Sequence, residues 1–332
     1  MWEGSSSSAI SFTADPMGFI VENNVIDCAL NDMIDRLDNV SVRNGAGVSK
    51  IVLPGENPQD RVRVELESGE EYECDLLIGA DGANSLVRKT LNCPTMAWNH
   101  NMDGIVCTLK SSDLTKDFIA YQRFLPTGPI ALLPLGGEYF SLVWSCKKYL
   151  ANELSALSDT EFVERVNNAF HKDPHNSTLT DIVESISSFT GLQESPRETP
   201  FVTSVDGARA KFPLGFMQSS RYIGPRTVLL GDASHRVLPL AGQGANIGFR
   251  GVQILANELR RKYAGDVGDH EILANFETKA QREATPMLAF IEGIDKLYSS
   301  NFAPVVAARN LGITLVNNCG PLKDGFMDIG RS

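Results

Sequence analysis

Positive charge is scarce in this 332-residue sequence: Lys and Arg number 30 against 41 Asp and Glu, a formal net charge of -11, with a pI near 5.0. A nucleic-acid-binding face needs clustered cations to neutralise phosphates, so no nucleic acid is expected as a partner. Paired cysteine motifs are lacking too. Cys28, Cys74, Cys93, Cys107, Cys146 and Cys319 are scattered, with no C-x-x-C. That pattern argues for reduced, mostly buried thiols, as in cytosol or the mitochondrial matrix, rather than a disulfide framework. No apolar run reaches the ~18 residues that a bilayer span demands. The first stretch, MWEGSSSSAISFTADPMGF, has no arginine and no charged segment leading into an apolar one. It is therefore neither a signal peptide nor a transit peptide, and an organelle address is expected only upstream of Met1.

What is present is ordinary globular material, 42% hydrophobic and 21% charged, enough for two medium domains or one domain with a large insertion. Apolar residues at helical spacing predict an amphipathic helix over 23–38. Strands are expected at 48–53, 61–66 and 72–78, then across 98–145, where PIALLPL (129–135) and YFSLVW (139–144) stand out. Helices follow at 150–170 and 178–190, strand character at 200–215, a buried strand at 227–231, and helices at 244–262, 270–298 and 303–318. The order predicts a mixed α/β (α+β) fold in which a Rossmann-like domain is interrupted by a mostly β domain. The segments are 1–98, 99–215 as the sheet domain, 216–262 as the return to the first domain, and 263–332 as a C-terminal helical region.

Two segments carry chemistry. In the first, Cys74 to Arg88, an apolar strand ends in Gly79-Ala80-Asp81-Gly82 and runs into a short helix bearing Ser85 and Arg88. Small residues at a strand end let a ligand approach the backbone, and a new helix offers N–H groups to phosphate. Asp81 can accept from hydroxyls and Arg88 can reach a pyrophosphate. Asp-Gly also occurs at 103–104, 206–207 and 324–325, without such surroundings; the ordinary expectation for each is a turn.

In the second, Thr227 to Phe249, an apolar strand delivers Gly231-Asp232 at its carboxyl end, where ligands sit in open α/β sheets. Pro239, Gly242, Gly244 and Gly248 then make a tight, flat turn into a helix. Its positive end suits a reduced flavin, an anion.

GADGANSLVR (79–88) and GDASHRVLPLAGQGANIGF (231–249) resemble the second and third flavin motifs of the single-component FAD-dependent aromatic hydroxylases, in the same order. GFIVENNVI (18–26), YQRFLPTGPIALLPL (121–135), KLYSS (296–300) and GPLK (320–323) resemble the eukaryotic branch acting in ubiquinone biosynthesis. The likeness runs from Trp2 to the end.

The resemblance implies an FAD-dependent monooxygenase that hydroxylates C5 of a polyprenylated benzoate or phenol ring through a flavin C4a-hydroperoxide, with no catalytic side chain. It implies that Asp81, Gly82 and Arg88 border the cofactor and that Gly231 and Asp232 meet its ribityl or phosphate region. Pro239, Gly242, Gly244, Ala245 and Asn246 would line the isoalloxazine. Phe124, Leu132, Leu133 and Pro134 would wall the substrate, though each suits ordinary sheet core equally well. Implied partners are O2, a ferredoxin with its reductase, and other ubiquinone-biosynthesis proteins in a complex on the matrix face of the mitochondrial inner membrane. Leu238 stands where the family often has a second His before the proline.

One family feature is not found: a strand followed by Gly-x-Gly-x-x-Gly, which seats the FAD pyrophosphate. Gly45-Ala46-Gly47 is the nearest candidate, with Lys50 where the third glycine belongs. Weak or no binding of FAD by the chain alone is therefore expected. Two alternatives stay open: a related hydroxylase or epoxidase acting on another lipid, and a non-catalytic or incomplete short form. His171 and His175 flank Asp173, but Pro174 spoils a helical pair, so no metal is expected.

Overall fold

The computed structural model describes residues 1–3, 9–13, 18–55, 60–112, 118–172, 199–239, 242–261 and 265–300, with 302, 304–306, 309, 312, 316 and 319. The chain forms two compact units. Unit one holds residues 1–26, 101–214 and 292–332; unit two holds 27–100 and 215–291. The expected helices at 178–190 and, for the most part, 303–318 lie outside the described residues.

Unit one is built on the antiparallel strands β7 (Tyr121–Leu125), β8 (Gly128–Gly136), β9 (Tyr139–Lys147) and the part of β6 (Thr95–Ser111) from 101 onward; its sheet also includes β1 (Trp2–Glu3) and the part of β10 (Val202–Ser219) up to 214. The order is β1-β7-β8-β9-β6-β10, with β1 parallel to β7. Strand periodicity sends Ile105, Cys107, Leu109, Ile130, Leu132, Phe140, Leu142 and Trp144 to one face, all buried. There they share a core with Ala151 and Leu154 of helix α3 (Lys148–Ala156) and Phe162, Val166 and Phe170 of α4 (Asp159–His171). The single helix expected at 150–170 is thus two. Leu157 is extended, and Ser158 with Glu161 forms a capping box that restarts the helix. Arg123, buried on the same face, donates to the carbonyls of Ala169, Phe170 and Lys172 near the end of α4.

Unit two contains the three-stranded sheet β11-β12-β5, from Ile223–Gly224, Thr227–Leu229 and Leu77–Gly79. Val228 and Leu230 pack with Ile254 and Leu255 of α5 (Gln243–Arg261) and Leu273, Phe276 and Ala280 of α6 (His270–Ser299). Leu229, on the opposite side, packs with Val87 of α2 (Leu86–Thr90) and Ala233. Helices therefore cover both faces, as the pattern of continuous apolar strands predicts. A hairpin sheet of β2 (Val48–Val52), β3 (Val62–Leu66) and β4 (Glu71–Cys74) completes the strands of this unit, with the short β13 (His235–Arg236) on the end of β10. Helix α1 (Asn23–Ile34) spans the junction of the two segments and buries no residue.

Candidate functional site

The two motif strands are parallel neighbours in unit two: Leu77, Ile78 and Gly79 of β5 face Thr227, Val228 and Leu229 of β12. The amide of Leu230 extends the ladder to the Gly79 carbonyl at 2.9 Å. Both carboxyl-end turns therefore emerge side by side. Gly79 is required for packing, because a Cβ there would meet the Val87 Cβ at 2.7 Å. Gly82 is different: it has φ +74° with open space around its missing Cβ.

Asp81 Oδ2 accepts from the amides of Leu86 (2.6 Å) and Val87 (3.2 Å), and Ser85 Oγ accepts from Arg88 N at 2.9 Å. Burial pulls the Asp81 carboxyl up, but hydrogen bonds from Ser85 and the Val87 and Leu86 amides outweigh it and hold the pKa below the usual value. The amides expected to greet a phosphate are thus already taken by the protein's own caps. Arg88 differs from expectation in the same way. Its Nη1 donates to the Ala233 carbonyl at 2.8 Å and its Nη2 to the Ala83 carbonyl at 2.6 Å. The arginine ties one turn to the other.

In the second turn, Gly231 takes φ +56° and opens a 3-10 turn, Gly231–Ala233. Its carbonyl accepts from both the amide and the hydroxyl of Ser234, each at 2.9 Å. Asp232 is exposed and makes no protein hydrogen bond among the described residues. Although the side chain reaches solvent, the crowded protein around it raises its pKa, with Arg236 opposing. Pro239 is half-buried, Gly242 has φ +64°, and α5 starts at Gln243. Gly244 has open space beside it, and Ala245 and Asn246 are exposed on the first turn. A Cβ on Gly248 would lie 3.6 Å from the Gly231 Cα, so α5 begins against the Gly231 turn.

Gly82, Gly231, Gly242 and Gly244 thus leave backbone open, beside an exposed carboxylate and the first turn of a 19-residue helix. First-turn amides lack intrahelical partners and favour anions. This donor set fits FAD: carboxylate for hydroxyls, bare backbone for a planar ring, and helix amides for flavin anion charge.

The four residues expected to wall a substrate all fall in unit one, on β7 and β8. Leu132 is fully buried on the face covered by α3 and α4, and Pro134 shares that side opposite Phe140. Leu133 lies on the other face beside Ser141, partly exposed, as do Ala131 and Val143. Phe124 also lies away from the Arg123 side but is buried, its ring stacked on Tyr298 with ring centres 4.0 Å apart. The pleat therefore separates these four into two pairs. Leu132 and Pro134 belong to the core for which their apolar character equally qualified them.

Sequence reasoning missed Ser85 and Ser234 as the side chains that shape the two turns; a Ser three residues before a helical amide, and Gly-x-x-Ser after a strand, were the available signals. His171 stacks on Phe201 at 4.1 Å, while His175 lies outside the described residues. No cluster of three or more metal-ligating side chains occurs among the described residues. No helix among them is long and apolar enough to cross a membrane.

The "FAD binding domain" family model matches residues 21–198 and 189–290, which defines the class: an FAD-binding flavoprotein. A solved probable FAD-dependent monooxygenase, PqsL from Pseudomonas aeruginosa, shares the fold at TM-score 0.64 and 19% identity, covering 87% of this chain and 71% of that one. The mitochondrial ubiquinone biosynthesis monooxygenase COQ6 of Drosophila melanogaster is 39% identical across 98% of this chain and 71% of its own length. The Homo sapiens protein of that name is 37% identical across 98% and 74%. This chain belongs to the COQ6 ubiquinone biosynthesis monooxygenase family.

Proposed function

We propose that this chain is an FAD-dependent monooxygenase that hydroxylates the ring of a polyprenylated hydroxybenzoate or phenol in ubiquinone biosynthesis, at C5. The carrying observation is the pairing of β5 and β12, which brings two glycine-opened turns together beside the exposed Asp232. When bound, FAD supplies the activation of O2 and the transfer of one oxygen atom. The side chains bind, orient and exclude water. Asp232 accepts from ribityl or ribose hydroxyls. Gly231 would meet the same ribityl or phosphate region, and Pro239, Gly242, Gly244, Ala245 and Asn246 would flank the isoalloxazine, where the α5 amides suit its anionic edge. Gly82 lets the backbone of the first turn approach, while Asp81 and Arg88 act indirectly, by fixing that turn against the second.

For the ring substrate and its apolar tail we assign the less buried face of β7 and β8, with Leu133 and Phe124, to the wall. In the same reading residues 99–215 form the substrate domain, 1–98 and 216–262 the FAD-binding parts, and 263–332 the C-terminal helical region. Electrons arrive through a ferredoxin and its reductase, and the protein works with other ubiquinone-biosynthesis proteins on the matrix face of the mitochondrial inner membrane.

A second reading, a form that does not hold FAD unaided, is favoured by one observation: Gly45-Ala46-Gly47 lies in a turn before β2, where a Cβ on Gly47 would strike the Glu67 carboxyl at 2.6 Å. Titration with FAD, followed by flavin fluorescence and the visible band, decides between them. The proposal expects a shifted band with micromolar or weaker affinity, and Asp232→Asn should weaken it about tenfold, the loss of one net hydrogen bond. Oxygen-18 incorporation into a prenylated hydroxybenzoate then tests turnover. No band shift even with FAD in large excess overturns the proposal for this chain.

A further inference from the structure

Behind the Asp232 turn lies a polar group that the proposed chemistry does not use. His235 is 5% exposed, and its Nδ1 sits 3.0 Å from Ser234 Oγ. That hydroxyl has one proton and lies 2.9 Å from the Gly231 carbonyl. With the proton given to that carbonyl, the serine oxygen accepts from the imidazole, and the ring proton belongs on Nδ1. His235 Nε2 is buried with no hydrogen-bond partner, as suits a bare lone pair better than an N–H. Burial also holds the ring neutral, with a pKa lowered to about 4. The Tyr222 ring centre lies 5.9 Å from that of His235, the two planes tilted by 31°.

We propose that His235 is a positioning residue for the cofactor turn: a two-bond relay, His235 Nδ1–H to Ser234 Oγ–H to the Gly231 carbonyl, holds Gly231 in its left-handed conformation and aims Asp232 outward. Gly231 needs such a hold. With φ +56° and nothing within 4 Å of its missing Cβ, no side chain crowds that position, and glycine visits many conformations at little cost. The Gly231 carbonyl instead receives two donors from Ser234. The imidazole orients one of them. The meaning of the turn as a cofactor contact rests on the function proposed above; the relay itself does not.

The test uses the full chain without added flavin. Long-range proton–nitrogen correlation at neutral pH reads both ring nitrogens of His235, assigned by their loss in His235→Asn. The relay predicts a protonated Nδ1 and a bare Nε2; the opposite tautomer overturns it. Amide hydrogen exchange at Ala233 and Ser234 supplies the second readout. In His235→Ala exchange should rise about tenfold, whereas His235→Asn, whose side-chain amide can donate from near the Nδ1 position, should stay close to wild type. Ser234→Ala, which deletes only a hydroxyl, should match His235→Ala and covers the case in which that variant does not fold. Equal acceleration in the Ala and Asn variants, or none in either, overturns the proposal by reducing His235 to packing. FAD titration of the same variants should show affinity falling in His235→Ala and returning in His235→Asn. If wild type binds no FAD, the function proposed above fails, while the tautomer and exchange results still judge the relay.

Discussion

Leu132 and Leu133 are neighbours in sequence with the same side chain, yet strand alternation gives them opposite surroundings. Leu132 is completely buried among residues of the helix-covered core. Leu132→Ala should cost about 2–5 kcal/mol, read as a lowered denaturant midpoint. Leu133→Ala should change stability by no more than about 1 kcal/mol, since the side chain is only partly buried, and should raise KM for the prenylated substrate; an unchanged KM removes Leu133 from the wall. His235 makes a second residue-scale prediction. Its folded pKa is lowered from 6.5 to about 4, so between those values the unfolded chain binds the extra proton. The stability it contributes is complete above pH 6.5 and is lost as pH falls toward 4, by up to ~3 kcal/mol. Thermal scans across that window should show a steeper acid decline in wild type than in His235→Asn. The apolar type of Leu132 and the polar type of His235 were plain in the sequence. Which face each occupied was not, because one residue of register decides it.

At the scale of elements, the glycines divide by what surrounds them. Gly79→Ala would drive a Cβ to 2.7 Å from Val87, a buried side chain of α2. The helix would have to shift, at a cost of about 1–3 kcal/mol, and both the Asp81 cap and the Arg88 bridge would be disturbed. Gly244→Ala has no such obstacle and should raise helix stability by up to ~1 kcal/mol. It should nonetheless weaken FAD binding, because a methyl group would occupy the open backbone of α5. Calorimetry combined with flavin titration separates these cases; a Gly244→Ala protein that binds FAD as well as wild type removes this residue from the proposed contact. The sequence displayed β8, β9, α5 and α6 nearly to their ends, because their apolar patterns are long and their breakers sharp. It did not display the break at Leu157, where a local capping box overrides a continuous apolar periodicity. The capping of the α2 N-terminus, expected to be open, was hidden for a related reason: whether Asp81 turns outward or caps its own helix depends on side-chain geometry that composition does not carry.

At the scale of the whole molecule, the pattern of an α/β fold interrupted by a sheet could be followed along the chain, since strand and helix periods change where the segments change. The grouping of residues 1–26 and 292–332 with residues 101–214 could not. It depends on contacts between segments with no shared local pattern, such as the pairing of Trp2 with Arg123 in β1 and β7. The same non-locality governs the paired turns. Arg88 and the Ala233 carbonyl it grips are 145 residues apart in the chain. At a synthesis rate of about 5–20 residues per second, the ribosome needs roughly 7–30 s to make that stretch. During that interval β5 stands as an unpaired edge, with Ile78 still 44% exposed even after β12 arrives. The nascent chain therefore passes through a defined window in which its first motif strand is a target for chaperones and for mispairing, and it closes only when the second motif leaves the exit tunnel.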